Sequence, residues 1–360
     1  MTAAPKIDMA RNLTYAEAVN EALHVAMSND PSVICFGLGV DDPKAIFGTT
    51  KGLKEQFGPD RVWDMPTSEN AMTGVAIGAA LQGIRPVMVH QRLDFFLLAM
   101  DQLVNNAAKW HYMFGGQRSV PLTIRLILGR GWGQGPTHSQ SLHAWFAHIP
   151  GLKVVMPTSP EDAKGLLLAS IADPNPVVFL EHRWLHNRVG PVPAGDVRVP
   201  LGKARILREG RDVSIVAVSY MVIEALHAVD HLRRVGIDCE LIDLRTISPL
   251  DWDTVAASVR KTGRLLVLDP GAMSGSFAGE LITRAVTNCW DSLKGPPQRI
   301  TMPDIPEPTS FGLTANLHPE ARGIAQRVAQ MLGRPLEPDF LQRQDGVPHD
   351  VPGDWFKGPF

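Results

Sequence analysis

One acid stands at the mouth of a helix built almost entirely from small and apolar residues. In Asp64-Met-Pro-Thr-Ser-Glu-Asn-Ala-Met-Thr-Gly-Val-Ala-Ile-Gly-Ala-Ala-Leu-Gln-Gly83 that acid is Glu69. A carboxylate there has two uses. It can be a helix-start charge favoured by the macrodipole, or a general acid/base held in a low-dielectric pocket. A second group lies in Thr137-His-Ser-Gln140, just after the run Gly129-Arg-Gly-Trp-Gly-Gln-Gly135. An imidazole titrates near neutrality and suits proton relay, although loop histidines are often merely solvated. The glycine run misses both the dinucleotide and the P-loop spacings, so it reads as a flexible loop beside His138. Within it, Arg130 and Trp132 are bulky enough to shape a pocket. Arg92, in Gln91-Arg92-Leu93-Asp94, could grip a carboxylate or phosphate bidentately, or sit in a surface or interface ion pair.

These groups need elements to hold them. Ala16 to Met27 reads as an amphipathic helix, and 32–36, 61–64, 85–89, 122–128, 153–156 and 176–180 read as strands. Helices are expected after Glu69, ending at Gly83, over Phe95 to Met113, and from Ser159-Pro160-Glu161, with Ser as cap and Pro in the first turn. Such alternation predicts an α/β fold, a mostly parallel sheet with helices on both faces. After the Pro-rich stretch Gly190 to Pro200 the alternation repeats, with strands at 212–218, 239–243 and 264–269 and helices at 221–235, 252–261, 276–288 and 320–332. Two such domains are therefore expected, 1–189 and 206–332, joined by a linker at 190–205. Residues 333–360 read as an extended Pro-rich tail whose aromatic finish, Trp355 to Phe360, suggests docking along a partner surface.

Composition narrows the class. The formal net charge of −2 gives no general pull toward nucleic acid or an acidic membrane. Three well-separated cysteines, Cys35, Cys239 and Cys289, point to reduced thiols in a cytoplasmic protein. No apolar run approaches the roughly 20 residues that span a bilayer, and the first fifteen residues, with Lys6, Asp8 and Arg11, lack an apolar signal core.

Several blocks together carry a resemblance: Pro66-Thr-Ser-Glu69, Met100-Asp-Gln-Leu-Val-Asn-Asn-Ala-Ala-Lys109, Thr137-His-Ser-Gln140, Pro150-Gly-Leu-Lys-Val-Val-Met-Pro157, Glu161-Asp-Ala-Lys-Gly165 and Leu244-Arg-Thr-Ile-Ser-Pro-Leu250. From about residue 13 to about 332 the chain resembles beta subunits of the thiamine-diphosphate-dependent first component of 2-oxo-acid dehydrogenase complexes, and it is similar to transketolase. The resemblance implies a pyrimidine-binding domain followed by a transketolase C-terminal-like domain. It implies that Glu69 hydrogen-bonds N1′ of the cofactor's aminopyrimidine and drives the imino tautomer that takes the thiazolium proton. Gln91 and Phe95 are implied as cofactor contacts, with Phe96 as the competing inward residue, and His138 as an active-site histidine. His143 and His148 are expected to be structural or exposed. Gly74 and Gly78 would let a partner's helix, or one of this chain, approach closely.

Family members hold the diphosphate and magnesium with a Gly-Asp-Gly motif followed by Asn. No Gly-Asp-Gly occurs in these 360 residues. The implied assembly is an alpha2-beta2 heterotetramer whose alpha subunit supplies the diphosphate, the magnesium and the other wall; no metal ligand is assigned to this chain's side chains. Backbone oxygens at Ile171, Asp173 and Asn175 fall where some beta subunits bind a structural potassium. The substrate is expected to be a small 2-oxo acid and the acceptor a lipoyl acyltransferase. Alternatively, a split transketolase or carboligase would pass the acyl-anion equivalent to an aldehyde or ketone; Arg92, Arg130 and Trp132 depart from ordinary dehydrogenase subunits and keep that open. A non-catalytic paralogue would lack Glu69 or His138, and both are present.

Overall fold

Local chemistry sets the helix starts. Thr14 and Glu17 form a reciprocal capping box, with Glu17 N–H donating to Thr14 Oγ1 at 3.1 Å and Thr14 N–H to Glu17 Oε2 at 2.8 Å. Ser159 accepts from Asp162 N–H at 3.1 Å, with Pro160 in the first turn. The computed structural model describes residues 11–315, 317–337, 341, 347–353, 356 and 358.

In chain order the first half carries β1 (Arg11–Thr14), α1 (Tyr15–Asn29), β2 (Val33–Gly37), α2 (Leu53–Phe57), β3 (Val62–Asp64), α3 (Glu69–Leu81), β4 (Arg85–His90), α4 (Leu93–Phe96), α5 (Ala108–Met113), β5 (Thr123–Leu128), α6 (His143–Ala147), β6 (Lys153–Val155), α7 (Pro160–Ala172), β7 (Val177–His182) and β8 (Val189–Val192). The second half adds β9 (Arg205–Arg208), β10 (Val213–Ala217), α8 (Met221–Arg234), β11 (Cys239–Asp243), β12 (Thr246–Ser248), α9 (Trp252–Thr262), β13 (Leu265–Ala272), α10 (Phe277–Cys289), β14 (Gln298–Met302) and α11 (Ala321–Leu332).

Two compact units result. The first holds residues up to Ile127, Ile149–Glu181 and Leu185–Leu201; the second holds Leu128–His148, His182–Trp184 and the chain from Gly202 onward.

In the first unit six strands stand in the order β6–β7–β5–β4–β2–β3. Its β2–β3, β2–β4, β4–β5 and β6–β7 pairs are parallel. Strands β5 and β7 are buried along their whole length, as expected of parallel strands covered on both faces. A separate antiparallel ribbon pairs β1 with β8, so the first residues of the Pro-rich stretch form a strand. Lys164 is fully buried in α7 and donates to Glu21 Oε1 on α1 at 2.7 Å and to Pro193 O at 2.6 Å. The expected long helix at 95–113 is broken. After α4 comes a 3-10 turn at Leu97–Ala99, then a π stretch at Gln102–Ala107, then α5. The amides of Asn105 and Asn106 in that stretch bond back to the Asp101 and Gln102 side chains.

The second unit has a five-stranded sheet in the order β14–β13–β10–β11–β9, parallel except for β9 against β11. Asp251 and Ser276 cap α9 and α10 through their side chains. The described part of the tail is packed, with Val351 and Phe356 buried. Trp355 and Phe360 lie outside the described residues. Cys35, Cys239 and Cys289 are free thiols, all buried. Among the described residues no helix is long and apolar enough to cross a membrane.

Candidate active site

Parallel pairing brings two loops to one edge of the first unit's sheet. β3 and β4 flank β2, and Gly37 is in register with both Asp64 and Val89. The loops that leave β3 and β4 therefore emerge together at the carboxyl edge, where ligands of open α/β sheets bind. The first loop leads to Glu69, the second to Gln91, Arg92 and Phe95. Gly37 permits the close approach: a Cβ there would lie 2.0 Å from Val89 O.

Glu69 is the first residue of α3 and only 4% exposed. The helix is fastened to the sheet one turn on, where Thr73 Oγ1 donates to Glu69 O at 2.8 Å and touches Met88 Sδ at 3.5 Å. After β4 the two phenylalanines divide their roles. Phe96 is fully buried, while Phe95 keeps 38% of its surface exposed. Gln91 packs its amide over Gly39, where a Cβ would lie 2.1 Å from Gln91 Nε2. Arg92 is buried, 3% exposed. Burial pulls its guanidinium down to about 10, against the opposing effect of Asp94.

His90 is a neighbour that pattern reading passed over. It follows Met88 by two residues, so it projects from the same face of β4, toward α3. It is fully buried, with its ring edge-on to Phe96 at 5.0 Å. Burial drives its pKa down to about 3, so it is neutral at any physiological pH. The signal available was its place at the end of the alternation Met88-Val89-His90.

The second unit holds the other sequence candidates. His138 is half-buried, its Nδ1 2.9 Å from Thr137 Oγ1. Trp132 is half-exposed. Arg130 is 1% exposed, and three acceptors occupy it: Asp350 Oδ2 at 2.8 Å, Pro308 O at 2.9 Å and Glu307 Oε1 at 3.5 Å. A guanidinium so engaged serves the fold, and the substrate role expected for Arg130 has no support in this geometry. His143 is buried, its Nε2 2.8 Å from Asp269 Oδ1, while His148 is exposed. Burial pushes the Asp269 carboxyl up. The charge and hydrogen bond of His143, with bonds from Ser276 and Gly271, outweigh it and hold the group at about 2.

Residues 11–187 match the transketolase pyrimidine binding domain, and residues 202–324 match the transketolase C-terminal domain. The chain is 43% identical over 321 residues to the pyruvate dehydrogenase E1 component subunit beta-2, mitochondrial, of Oryza sativa subsp. japonica, covering 88% of this chain and 85% of that one. The chain belongs to the family of E1 beta subunits. These are subunits of the thiamine-diphosphate-dependent first component of 2-oxo-acid dehydrogenase complexes. The acetoin:2,6-dichlorophenolindophenol oxidoreductase subunit beta of Cupriavidus necator is as similar, 43% identical over 327 residues, covering 88% of this chain and 96% of that one. A solved structure described as a split gene transketolase, inactive beta4 tetramer, has the same fold, with a TM-score of 0.71 at 20% identity over 89% of this chain and 98% of that one.

Several of the blocks that carry the resemblance have a packing reason here. Gly151 would place a Cβ 1.9 Å from Ala108 O, and Lys109 Nζ donates to Pro150 O at 2.9 Å. The Asn-Ala-Ala-Lys and Pro-Gly-Leu-Lys blocks are thus two halves of one contact. In Glu161-Asp-Ala-Lys-Gly165, Lys164 ties α7 to α1, and a Cβ on Gly165 would lie 2.6 Å from Val199 Cγ2.

Proposed function

We propose that this E1 beta subunit supplies the aminopyrimidine side of a thiamine diphosphate site and that a partner alpha subunit supplies the diphosphate side. The observation that carries the reading is the pairing of a buried carboxylate, Glu69, with a half-open aromatic, Phe95, on two loops at one sheet edge. The residues fit the group. A 4% exposed acid at a helix start offers one proton-exchanging oxygen to a ring nitrogen. Phe95 offers a partly exposed aromatic ring, 38% exposed, while Phe96 is fully buried. Gln91 stands beside them. When bound, thiamine diphosphate supplies the carbon nucleophile that attacks and decarboxylates a 2-oxo acid.

Glu69 would exchange a proton with N1′ of the pyrimidine. A low-dielectric site strengthens that bond. His138, carried on its own loop, would move a proton at the substrate, with Thr137 Oγ1 beside its Nδ1 at 2.9 Å. The buried charge of Arg92 would bind the substrate's carboxylate.

An alpha partner follows from this chain's lack of a Gly-Asp-Gly motif. It is supported by apolar side chains exposed on the first unit, among them Val75 on α3, Leu98 after α4, and Tyr112 and Met113 on α5. Gly78 on α3 has open space around its Cα. Magnesium belongs to that partner, and an alpha2-beta2 assembly is the reading adopted. The potassium reading at Ile171, Asp173 and Asn175 is the weaker part, since Arg85 Nη1 already donates to Ile171 O at 3.0 Å and Asp173 O at 3.2 Å.

Calorimetric titration of thiamine diphosphate with magnesium tests the proposal. Binding to this chain only together with its alpha partner, and turnover lost by two orders of magnitude or more in Glu69→Gln, are the expected results. Tight binding to this chain alone would overturn the split site. Turnover with a lipoyl domain assigns the dehydrogenase reaction. Turnover only with an aldehyde or ketone acceptor assigns the carboligase or transketolase alternative.

A further inference from the structure

Two arginines of the second unit are buried and both depend on the C-terminal tail. Arg130 donates its shortest bond to Asp350 Oδ2, at 2.8 Å, and its other acceptors are Pro308 O and Glu307 Oε1. Arg183 is 2% exposed, donates to Gly358 O, and lies 5.3 Å from the centre of the Phe356 ring. A buried guanidinium without an anion or carbonyl is strongly unfavourable, so these acceptors are structural requirements.

The same contacts fix the glycine-rich loop. Trp184 Nε1 donates to Gly131 O at 3.1 Å. A Cβ on Gly135 would lie 2.2 Å from Thr309 Oγ1, and φ there is +76°. The tail reaches the adjoining segment as well, where His349 Nε2 donates to Phe311 O at 2.8 Å with the two rings 3.9 Å apart. Loop 129–135, segment 307–314 and tail 349–350 thus form one three-way contact centred on the Arg130 guanidinium.

We propose that the C-terminal tail is a positioning strap for the loop that carries His138, acting through the Arg130–Asp350 ion pair. The tail's described residues serve this chain's own loop, where the sequence had suggested a partner surface. That the loop borders the reaction rests on the role proposed for His138. Asp350 touches no reacting atom in this scheme. It fixes Arg130, Arg130 fixes the start of the loop, and the loop presents His138 three residues beyond Gly135.

The test is made on the assembled enzyme, beta chain with alpha partner, comparing wild type with Asp350→Asn and Asp350→Glu. Asp350→Asn keeps the shape and removes the charge. It should speed amide exchange across residues 129–138 by about ten-fold, with helices α8 and α9 unchanged. It should raise KM for the 2-oxo acid by about ten-fold while kcat stays within about two-fold. Asp350→Glu should recover most of both. If Asp350→Asn does not fold, a protease site placed after Glu337 allows the tail to be cut from the folded chain, and the same loop exchange is read. Unchanged loop exchange in Asp350→Asn, or after cutting, overturns the strap. Faster exchange with unmoved KM supports the strap and removes the His138 loop from the substrate's path.

Discussion

The most consequential single charge in the first unit is Glu181. Arg125 donates to it twice, Nε to Oε1 at 2.7 Å and Nη2 to Oε2 at 3.0 Å, and both side chains are 0% exposed. His186 Nε2 adds a third contact at 3.4 Å to Oε2. Burial pushes the Glu181 carboxyl up, but the Arg125 charge, with hydrogen bonds from His186 and Arg125, outweighs it and holds the group at about 2, below an ordinary 4.5. At about 1.4 kcal/mol per decade, that displacement corresponds to about 3 kcal/mol of preference for the charged form. The contribution is fully present above pH 4.5 and is lost as pH falls toward 2. Glu181→Gln leaves Arg125 buried with a neutral partner, and removing one member of such a pair costs about 3–5 kcal/mol. Because two units need not unfold together, the readout is denaturant-dependent hydrogen exchange at the amides of β5 and β7. The expected result is a loss of about 3 kcal/mol in those amides at neutral pH, and a flatter acid limb below pH 4.5 than in wild type. A loss below about 1 kcal/mol, or an acid limb unchanged by the substitution, would refute the account of the pair as a compensated buried charge.

His90 is neutral in the fold because burial drives its pKa down to about 3, whereas the unfolded chain protonates it near 6.5. Its burial therefore favours folding fully above pH 6.5 and loses about 1.4 kcal/mol per pH unit below that. His90→Phe should remove that part of the acid dependence, as read from unfolding midpoints between pH 4 and 7. Burial also pushes the Cys35 and Cys239 thiols up to about 12. At pH 8 neither should react with iodoacetamide in the folded chain, and both should be labelled after unfolding in denaturant, as counted by mass spectrometry.

Legibility in the sequence followed range. Thr14 with Glu17, Ser159 with Pro160, and Gly83 announced their helix boundaries because caps are read from neighbours three or four residues apart. β5 and β7 announced strands through short apolar runs, although both are fully buried and carry polar residues, Arg125 and Glu181, that pair with each other. β8 was hidden inside a Pro-rich stretch, since its pairing with β1 spans most of the first unit. The π stretch at Gln102–Ala107 has an apolar pattern that an unbroken helix would also satisfy. At the candidate site, Glu69 and Phe95 were proposed from neighbouring motif residues, whereas the burial of Arg92 and His90 depends on the sheet. The contacts of Arg130 were illegible for the same reason: its acceptors come from 177, 178 and 220 residues away, and no local rule links them.

Those separations also set an order of events during synthesis. Arg130 leaves the ribosome 220 residues before Asp350, and His143 leaves it 126 residues before Asp269. At roughly 5–20 residues per second, Arg130 waits about ten to forty seconds for its counter-ion. Glu307 and Pro308 emerge earlier, 177 and 178 residues after Arg130, so the nascent glycine-rich segment gains those acceptors first and its shortest ion pair last. A product cut short between Pro308 and Asp350 keeps Glu69 and His138 in its sequence but lacks the Arg130–Asp350 pair proposed to set the loop. On the strap proposal, the setting of that loop is conditional on translation reaching Asp350.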